Sequence, residues 1–243
     1  MANQLSRWIK KKLLGTNNNL ITLNDPYLII EDLLKDTEVT GMLDAGASNG
    51  RISRRLLKIF PKANIYAFEP NPLYKQTLET FDQEDSRFHP QYLALSGYEG
   101  SSELFITESP GNTSLFSPGD RLKEIDPDGS TIKQKQDVDI VTIDQWAKRN
   151  NNVTIQLMKF DIQGAELQAL QGAIKVLQKS TYTVYTEVVF NSLYAGGALF
   201  GEIDLFFRKH GFILYDLYKP KYNQNDQIMW ANALYVDPGK LRI

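Results

Sequence analysis

Asp44-Ala45-Gly46-Ala47-Ser48-Asn49-Gly50 packs an acid, two glycines and four small or polar residues into seven positions. Before it lies a short apolar stretch, Gly41-Met42-Leu43-Asp44. After it, Ile52, Leu56, Leu57, Ile59 and Phe60 recur at helical spacing. The run is therefore a strand-to-helix turn, where glycines adopt φ values other residues resist and let a ligand approach the backbone. Open α/β sheets bind ligands in the crevice above the carboxyl ends of their strands. Asn64 to Phe68 reads as a second strand and delivers Glu69-Pro70-Asn71-Pro72 at its end. A carboxylate there can accept hydrogen bonds from both ribose hydroxyls of an adenosine. A dinucleotide site wants Gly-x-Gly-x-x-Gly. Counted from Gly46, its second and third glycines fall at Ser48 and Arg51. The spacing favours a donor without a pyrophosphate, and S-adenosylmethionine has that form. Asp44, Gly46, Ala47, Ser48, Asn49 and Gly50 would lie under its amino acid end. Glu69, Pro70 and Asn71 would meet its adenosine. Leu93 and Ala94 either flank the adenine or serve as strand-end core.

Methyl transfer from a sulfonium is an in-line displacement, so alignment supplies much of the rate. An aliphatic hydroxyl acceptor also needs a base to take its proton. Three candidates sit on later strands: Asp161, Lys159 and Glu187. Asp161 ends a strand, and base, holder of the donor's amino group and helix cap all remain open for it. Lys159 shares its strand face by period-two alternation. A lysine in a central parallel strand needs a partner, and Asp161 and Glu187 are the expected ones. Glu187, among Thr186, Tyr185 and Val188, also demands pairing. Glu166 reads as an acid in a first helical turn. His89 reads as a structural residue, and His210, near the end of a helix, as a surface residue compatible with the helix dipole. Asn112-Thr113-Ser114, with Phe105 and Phe116, lies in a segment that could reach over an acceptor.

The elements that position these residues follow an α/β rhythm. Strand, helix, strand, helix and a third strand, Phe88 to Leu95, predict a parallel sheet. Residues 96–142 break that rhythm as a hairpin-like insertion whose turn-rich segment is Ser109 to Ser130. The rhythm resumes with a strand from Ile155 to Phe160 and a helix from Gly164 to Gln178. A strand from Tyr182 to Phe190 and a helix from Phe200 to Lys209 follow. Two closing strands, Phe212 to Tyr218 and Ile228 to Val236, complete the set. Residues 1–39 form a helical lead-in and residues 40–243 the main domain. Ser6 to Leu14 reads as a basic amphipathic helix that touches an acidic membrane surface or packs on the domain. Pro26 to Leu34 reads as a second helix, capped by Asp25.

The 243-residue chain has no cysteine and only two histidines, which excludes disulfides, thiolate chemistry and a multi-histidine metal site. No metal is called for. The net charge of −2 lacks the global basic field that nucleic acid attracts. No apolar run approaches the roughly 20 residues of a membrane span, so no stable membrane insertion is expected. No apolar signal core follows the N-terminal charges, and the expected compartment is the cytoplasm.

Three blocks resemble the signature of FkbM-type methyltransferases: Asp44 to Gly50, Ala67-Phe68-Glu69-Pro70-Asn71, and Lys159-Phe160-Asp161-Ile162-Gln163-Gly164-Ala165-Glu166. The likeness runs over about residues 40 to 237 and includes Ala94-Leu95-Ser96, Thr186-Glu187-Val188 and Ala231 to Val236. Gln163 departs from it, standing where the family usually has a glutamate. The resemblance implies a class I methyltransferase, Rossmann-like α/β fold. Its sheet would be mostly parallel and seven-stranded, with an antiparallel last strand, helices on both faces and an inserted β-hairpin. It also implies methyl transfer from S-adenosylmethionine to a hydroxyl of a sugar, glycan or natural-product scaffold. Two other functions compete: a non-catalytic binding or scaffolding module that kept the fold, and a dinucleotide-dependent oxidoreductase.

Overall fold

A computed structural model describes residues 25–223 and 225–241. The expected N-terminal helix Ser6 to Leu14 lies outside the described residues. Helix α1 (Pro26–Leu33) starts with proline in its first turn and Asp25 as its cap, which accepts from the Tyr27 N–H. Strand β1 (Gly41–Ala45), helix α2 (Arg51–Ile59) and strand β2 (Asn64–Phe68) follow. Next come helix α3 (Lys75–Glu84) and strand β3 (Phe88–Gln91). After the insertion stand β7 (Leu157–Phe160), β8 (Thr183–Val189), helix α8 (Phe200–Lys209), β9 (Ile213–Tyr222) and β10 (Ile228–Val236).

The main sheet has seven strands in the order β3-β2-β1-β7-β8-β10-β9. Neighbours from β3 to β8 pair in parallel, and β10 runs antiparallel to both β8 and β9. The fold is α/β and Rossmann-like, with its topological switch between β1 and β7. Alternation along the strands feeds two cores. Met42 and Leu157 pack with α1, α2 and α3 on one face. Leu43, Met158 and Phe160 pack on the other with four helices. Those four are α5 (Ile143–Arg149), α6 (Glu166–Gln171), α7 (Ile174–Ser180) and α8.

Three expectations need correction. The third strand does not run from Phe88 to Leu95. It stops at Gln91, and Ala94–Leu95 forms β4 in a second sheet. There β4 pairs in parallel with β6 (Ile132–Val141), which pairs antiparallel with β5 (Gly100–Thr107). The inserted hairpin is therefore present, widened by β4. The helix expected from Gly164 to Gln178 is two helices. A Cβ at Gly172 would lie 2.3 Å from the Ser96 carbonyl oxygen, so the chain passes there only as glycine, and the helices break around it. Helices α4 (Asp120–Ile125) and α5 stand where the sequence pattern assigns no helix.

Phe207 is fully buried, with its ring stacked on Tyr235 at 4.0 Å and tilted against Phe212 at 5.6 Å. Phe207→Ala should cost about 3–5 kcal/mol of unfolding free energy in urea titrations. A loss under about 1 kcal/mol would show that this face packs elsewhere.

Candidate functional site

The turn after β1 is built on its neighbours. Gly46 and Ala47 donate their N–H groups to the Phe68 carbonyl at 2.9 and 3.1 Å, and Asp161 donates to the Ala45 carbonyl at 3.1 Å. Gly46 has φ +73°, and a Cβ there would sit 1.9 Å from the Asp161 carbonyl oxygen. Only glycine fits between the two strand ends. Gly50, at φ +74°, leads into α2.

Asp44 and Lys159 are register partners on β1 and β7 and form an ion pair of 3.0 Å, with side chains 0% and 7% exposed. This corrects the expected partners of Lys159, which were Asp161 and Glu187. Lys159 Nζ also donates to the carbonyls of Ala45 and Gly46 at 3.2 and 2.9 Å. Ser53 donates to the other Asp44 oxygen at 2.7 Å. Burial works against the lysine charge, but Asp44 and Asp161 outweigh it and hold the pKa above its ordinary value. The ammonium is thus a fixed cation under the turn, with its donors occupied.

A cavity of about 320 Å³ opens above the turn, within the roughly 300–1,000 Å³ range of small-molecule sites. Gly46, Ala47, Ser48 and Asn49 line its floor; Glu69 and Pro70 line one side. Leu93 and Ala94 form part of an apolar wall with Phe68 and Leu104. Lys159, Asp161 and Gln163 close the far end. Three expected contacts lie off the cavity. Asp44 is buried beneath the turn, Gly50 acts through the backbone, and Asn71 caps a 3₁₀ turn by accepting from the Leu73 N–H. Glu187 also stands outside the lining and reaches the site through Gln163.

Glu69 is 7% exposed. Its two oxygens accept from the Ser48 and Asn71 N–H groups at 2.8 and 2.9 Å. Burial raises its pKa, and those two N–H groups pull it back. Each carboxylate oxygen can accept once more, so the group is prepared for a pair of donors from the cavity.

At the far end, Gln163 Nε2 donates to Asp161 Oδ1 at 2.6 Å and Glu187 Oε2 at 3.2 Å. Tyr194 donates to Gln163 Oε1 at 2.6 Å. Burial lifts Glu187 well above the usual carboxylate range, and the nearby charges of Asp161 and Glu166 add to it. Asp161 does not cap the next helix, which has no side-chain cap; Glu166, in its first turn, reaches back to the loop, where its oxygens accept from the Ile162 and Gly164 N–H groups, each at 2.9 Å. The inserted segment forms the roof. Pro110, Gly111, Thr113 and Ser114 line the cavity, and Ser114 donates to the Gln163 carbonyl at 2.7 Å. Phe105 and Phe116 do not line it. His89 bonds Asn64 at 2.9 Å and stacks on Tyr66, a structural position. His210 follows α8 and packs against Phe206. Tyr194 carries no sequence signal, because only the chain path brings it to Gln163. Among the described residues no cluster of three or more acids or histidines is placed to hold a metal. No described helix is long and apolar enough to cross a membrane.

A family model described as the methyltransferase FkbM domain matches residues 44–214. The chain is 27% identical over 164 residues to 2-O-methyltransferase NoeI of Sinorhizobium fredii (strain NBRC 101917 / NGR234), covering 64% of this chain and 65% of that one. It is 26% identical over 144 residues to Methyltransferase 1 of Beauveria bassiana (strain ARSEF 2860), covering 54% and 57%. In each case it spans less than two thirds of the relative's length. The crystal structure of Methyltransferase FkbM from Methylobacillus flagellatus KT is 17% identical, with a TM-score of 0.49 over 82% of this chain and 44% of that one.

Burial pushes Glu166 from 4.5 up to about 7, against the backbone N–H groups it accepts from. Between those pH values the folded chain keeps a proton that the unfolded chain releases, so this group lowers stability as pH rises. The wild type should lose up to about 3 kcal/mol relative to Glu166→Gln between pH 4.5 and 7. Urea midpoints across that window measure it, and a constant difference would contradict the assignment.

Proposed function

The chain belongs to the FkbM methyltransferase family, and from that premise we propose that it is an S-adenosylmethionine-dependent O-methyltransferase acting on a hydroxyl of a sugar, glycan or natural-product scaffold. The observation that carries the donor is Glu69, anchored by two N–H groups with its remaining lone pairs available to the cavity. A ribose presents the matching pair of hydroxyls. The glycine floor admits an amino acid end close to the backbone. Phe68, Leu93, Ala94 and Leu104 supply an apolar slot for adenine. The acceptor class is supported by the oxygen specificity in the name of the S. fredii relative. It is also supported by the carboxyl and amide groups at the far end, which suit hydroxyls.

When bound, S-adenosylmethionine supplies a methyl group on a positively charged sulfur and leaves as a neutral thioether. The chain's own residues do the rest. Asp161, on the cavity wall, takes the hydroxyl proton as the new oxygen–carbon bond forms. Lys159 positions the floor by holding the Ala45 and Gly46 carbonyls rather than carrying protons. The roof at Pro110 to Ser114 excludes water.

Calorimetry with S-adenosylmethionine is the first test, and no heat at millimolar donor would refute the reading. Glu69→Ala should weaken binding at least tenfold, about 1.4 kcal/mol. With radiolabelled donor and a cellular glycan extract, Asp161→Asn should lose roughly 10²–10⁴-fold in transfer while keeping donor affinity. Lost affinity with normal turnover would instead assign Asp161 to the donor's amino group.

A further inference from the structure

Asp161 directly follows β7 and Glu187 lies on β8, and both carboxyl groups are turned to one amide. An amide nitrogen has two N–H groups, and here each goes to a different carboxyl. The amide oxygen faces the Tyr194 hydroxyl. The flipped amide would set its oxygen against two carboxyl groups, so the carboxyl groups select one orientation, and the Tyr194 hydroxyl, able to donate or accept, completes it by donating to the amide oxygen. The backbone is held as firmly. Gln163 has φ +57°, a left-handed value uncommon for a residue with a Cβ. Ser114 holds its carbonyl at 2.7 Å. Tyr194, 2% exposed, is itself tied to the insertion, since it bridges Pro118 and Ala195 donates to the Ser117 carbonyl at 3.0 Å. Both ends of Gln163 are therefore gripped by the segment that roofs the cavity.

We propose that Gln163 is a positioning residue: its amide fixes the Asp161 and Glu187 carboxyl groups at the acceptor end, and Tyr194 anchors the amide by donating to its oxygen. This rests on the reading of Asp161 as the base. Two carboxyl groups this close oppose each other's ionisation, and N–H donors to the charged form relieve that. The titratable groups facing the pair are Lys159 from β7, Glu166 from α6, Tyr194 from the loop after β8, Tyr27 from α1 and Tyr185 from β8. Lys159 is their cation, and its own pair with Asp44 on β1 spends much of that charge. The Gln163 amide is the neutral donor set between the two acids. It permits one of them to stay ionised while its neighbour keeps a proton. The roof acts on this proton balance through Ser114 and Tyr194, without touching either carboxyl.

The test follows the Glu187 carboxyl by carbon-13 NMR across pH in the full chain, with the signal assigned by its loss in Glu187→Gln. In Gln163→Leu the Glu187 midpoint should rise by about one pH unit or more. In Tyr194→Phe, which removes the anchor on the amide oxygen, it should rise by less. Midpoints within about 0.3 units of wild type in both variants, each with a cooperative melt, would overturn the proposal. If Gln163→Leu does not fold, the near-isosteric Gln163→Glu replaces it. There the third carboxyl should raise the midpoint, and an unmoved midpoint likewise overturns the proposal. Calorimetry with S-adenosylhomocysteine separates the two claims. A wild type that does not bind it fails the methyltransferase reading. Binding with unmoved midpoints fails only the role given to Gln163.

Discussion

A lysine and an aspartate buried side by side in the middle of a parallel sheet set the terms for everything above them. Taking both charges out of water costs several kcal/mol per ion, repaid only when geometry is good and the remaining donors and acceptors are satisfied. Here Asp44 receives Lys159 and the Ser53 hydroxyl, and Lys159 spends its other donors on the Ala45 and Gly46 carbonyls. The pair ties β1 to β7 at the switch point and holds the turn's carbonyls downward. With those fixed, the Ser48 N–H meets Glu69, and the floor and side of the cavity are set by one chain of contacts. The same pair explains why Gly46 tolerates no side chain. The strands it joins bring the Asp161 carbonyl within 1.9 Å of where a Cβ would stand.

The cavity is chemically two-ended. The end next to Glu69 is polar at one carboxylate and apolar around Leu93, Ala94 and Leu104. The other end gathers Asp161, Gln163 and, behind them, Glu187 and Tyr194. The inserted sheet spans both. Asn71, beside the Glu69 end, reaches Thr113 at 3.5 Å, and Ser114 grips Gln163 at the other. A segment that lines the cavity with no acid or base thus bears on both of its ends.

Local features were the legible ones. β2 has the bounds its pattern indicates, Asn64 to Phe68, because a short alternating run between Pro61 and the Glu69-Pro70 corner leaves little choice. Helix α8, from Phe200 to Lys209, is equally clear, since Gly211 at φ +86° ends it. Features that depend on distant register were not legible. Period-two alternation placed Lys159 beside Asp161, but its partner is Asp44, more than a hundred residues away and opposite it only because β1 and β7 pair in that register. The pattern leaves Leu93 and Ala94 as adenine-flanking or strand-end core residues of the third strand, while the jump of Ala94–Leu95 into the second sheet depends on β6, which follows much later. Gln163 stood out by its residue type. Its side-chain partners lie just after β7, on β8 and in the loop beyond, and Ser114 of the insertion meets its carbonyl, so the set could not be read from spacing.

The central claim is that the crevice over the Asp44–Gly50 turn holds the methyl donor with its ribose on Glu69. A crystal structure of the chain grown with S-adenosylhomocysteine tests it most directly. The ribose hydroxyls should lie within about 3.2 Å of the Glu69 oxygens, with the amino acid end over Gly46 to Asn49. Ligand density elsewhere, or a ribose that does not meet Glu69, would contradict it.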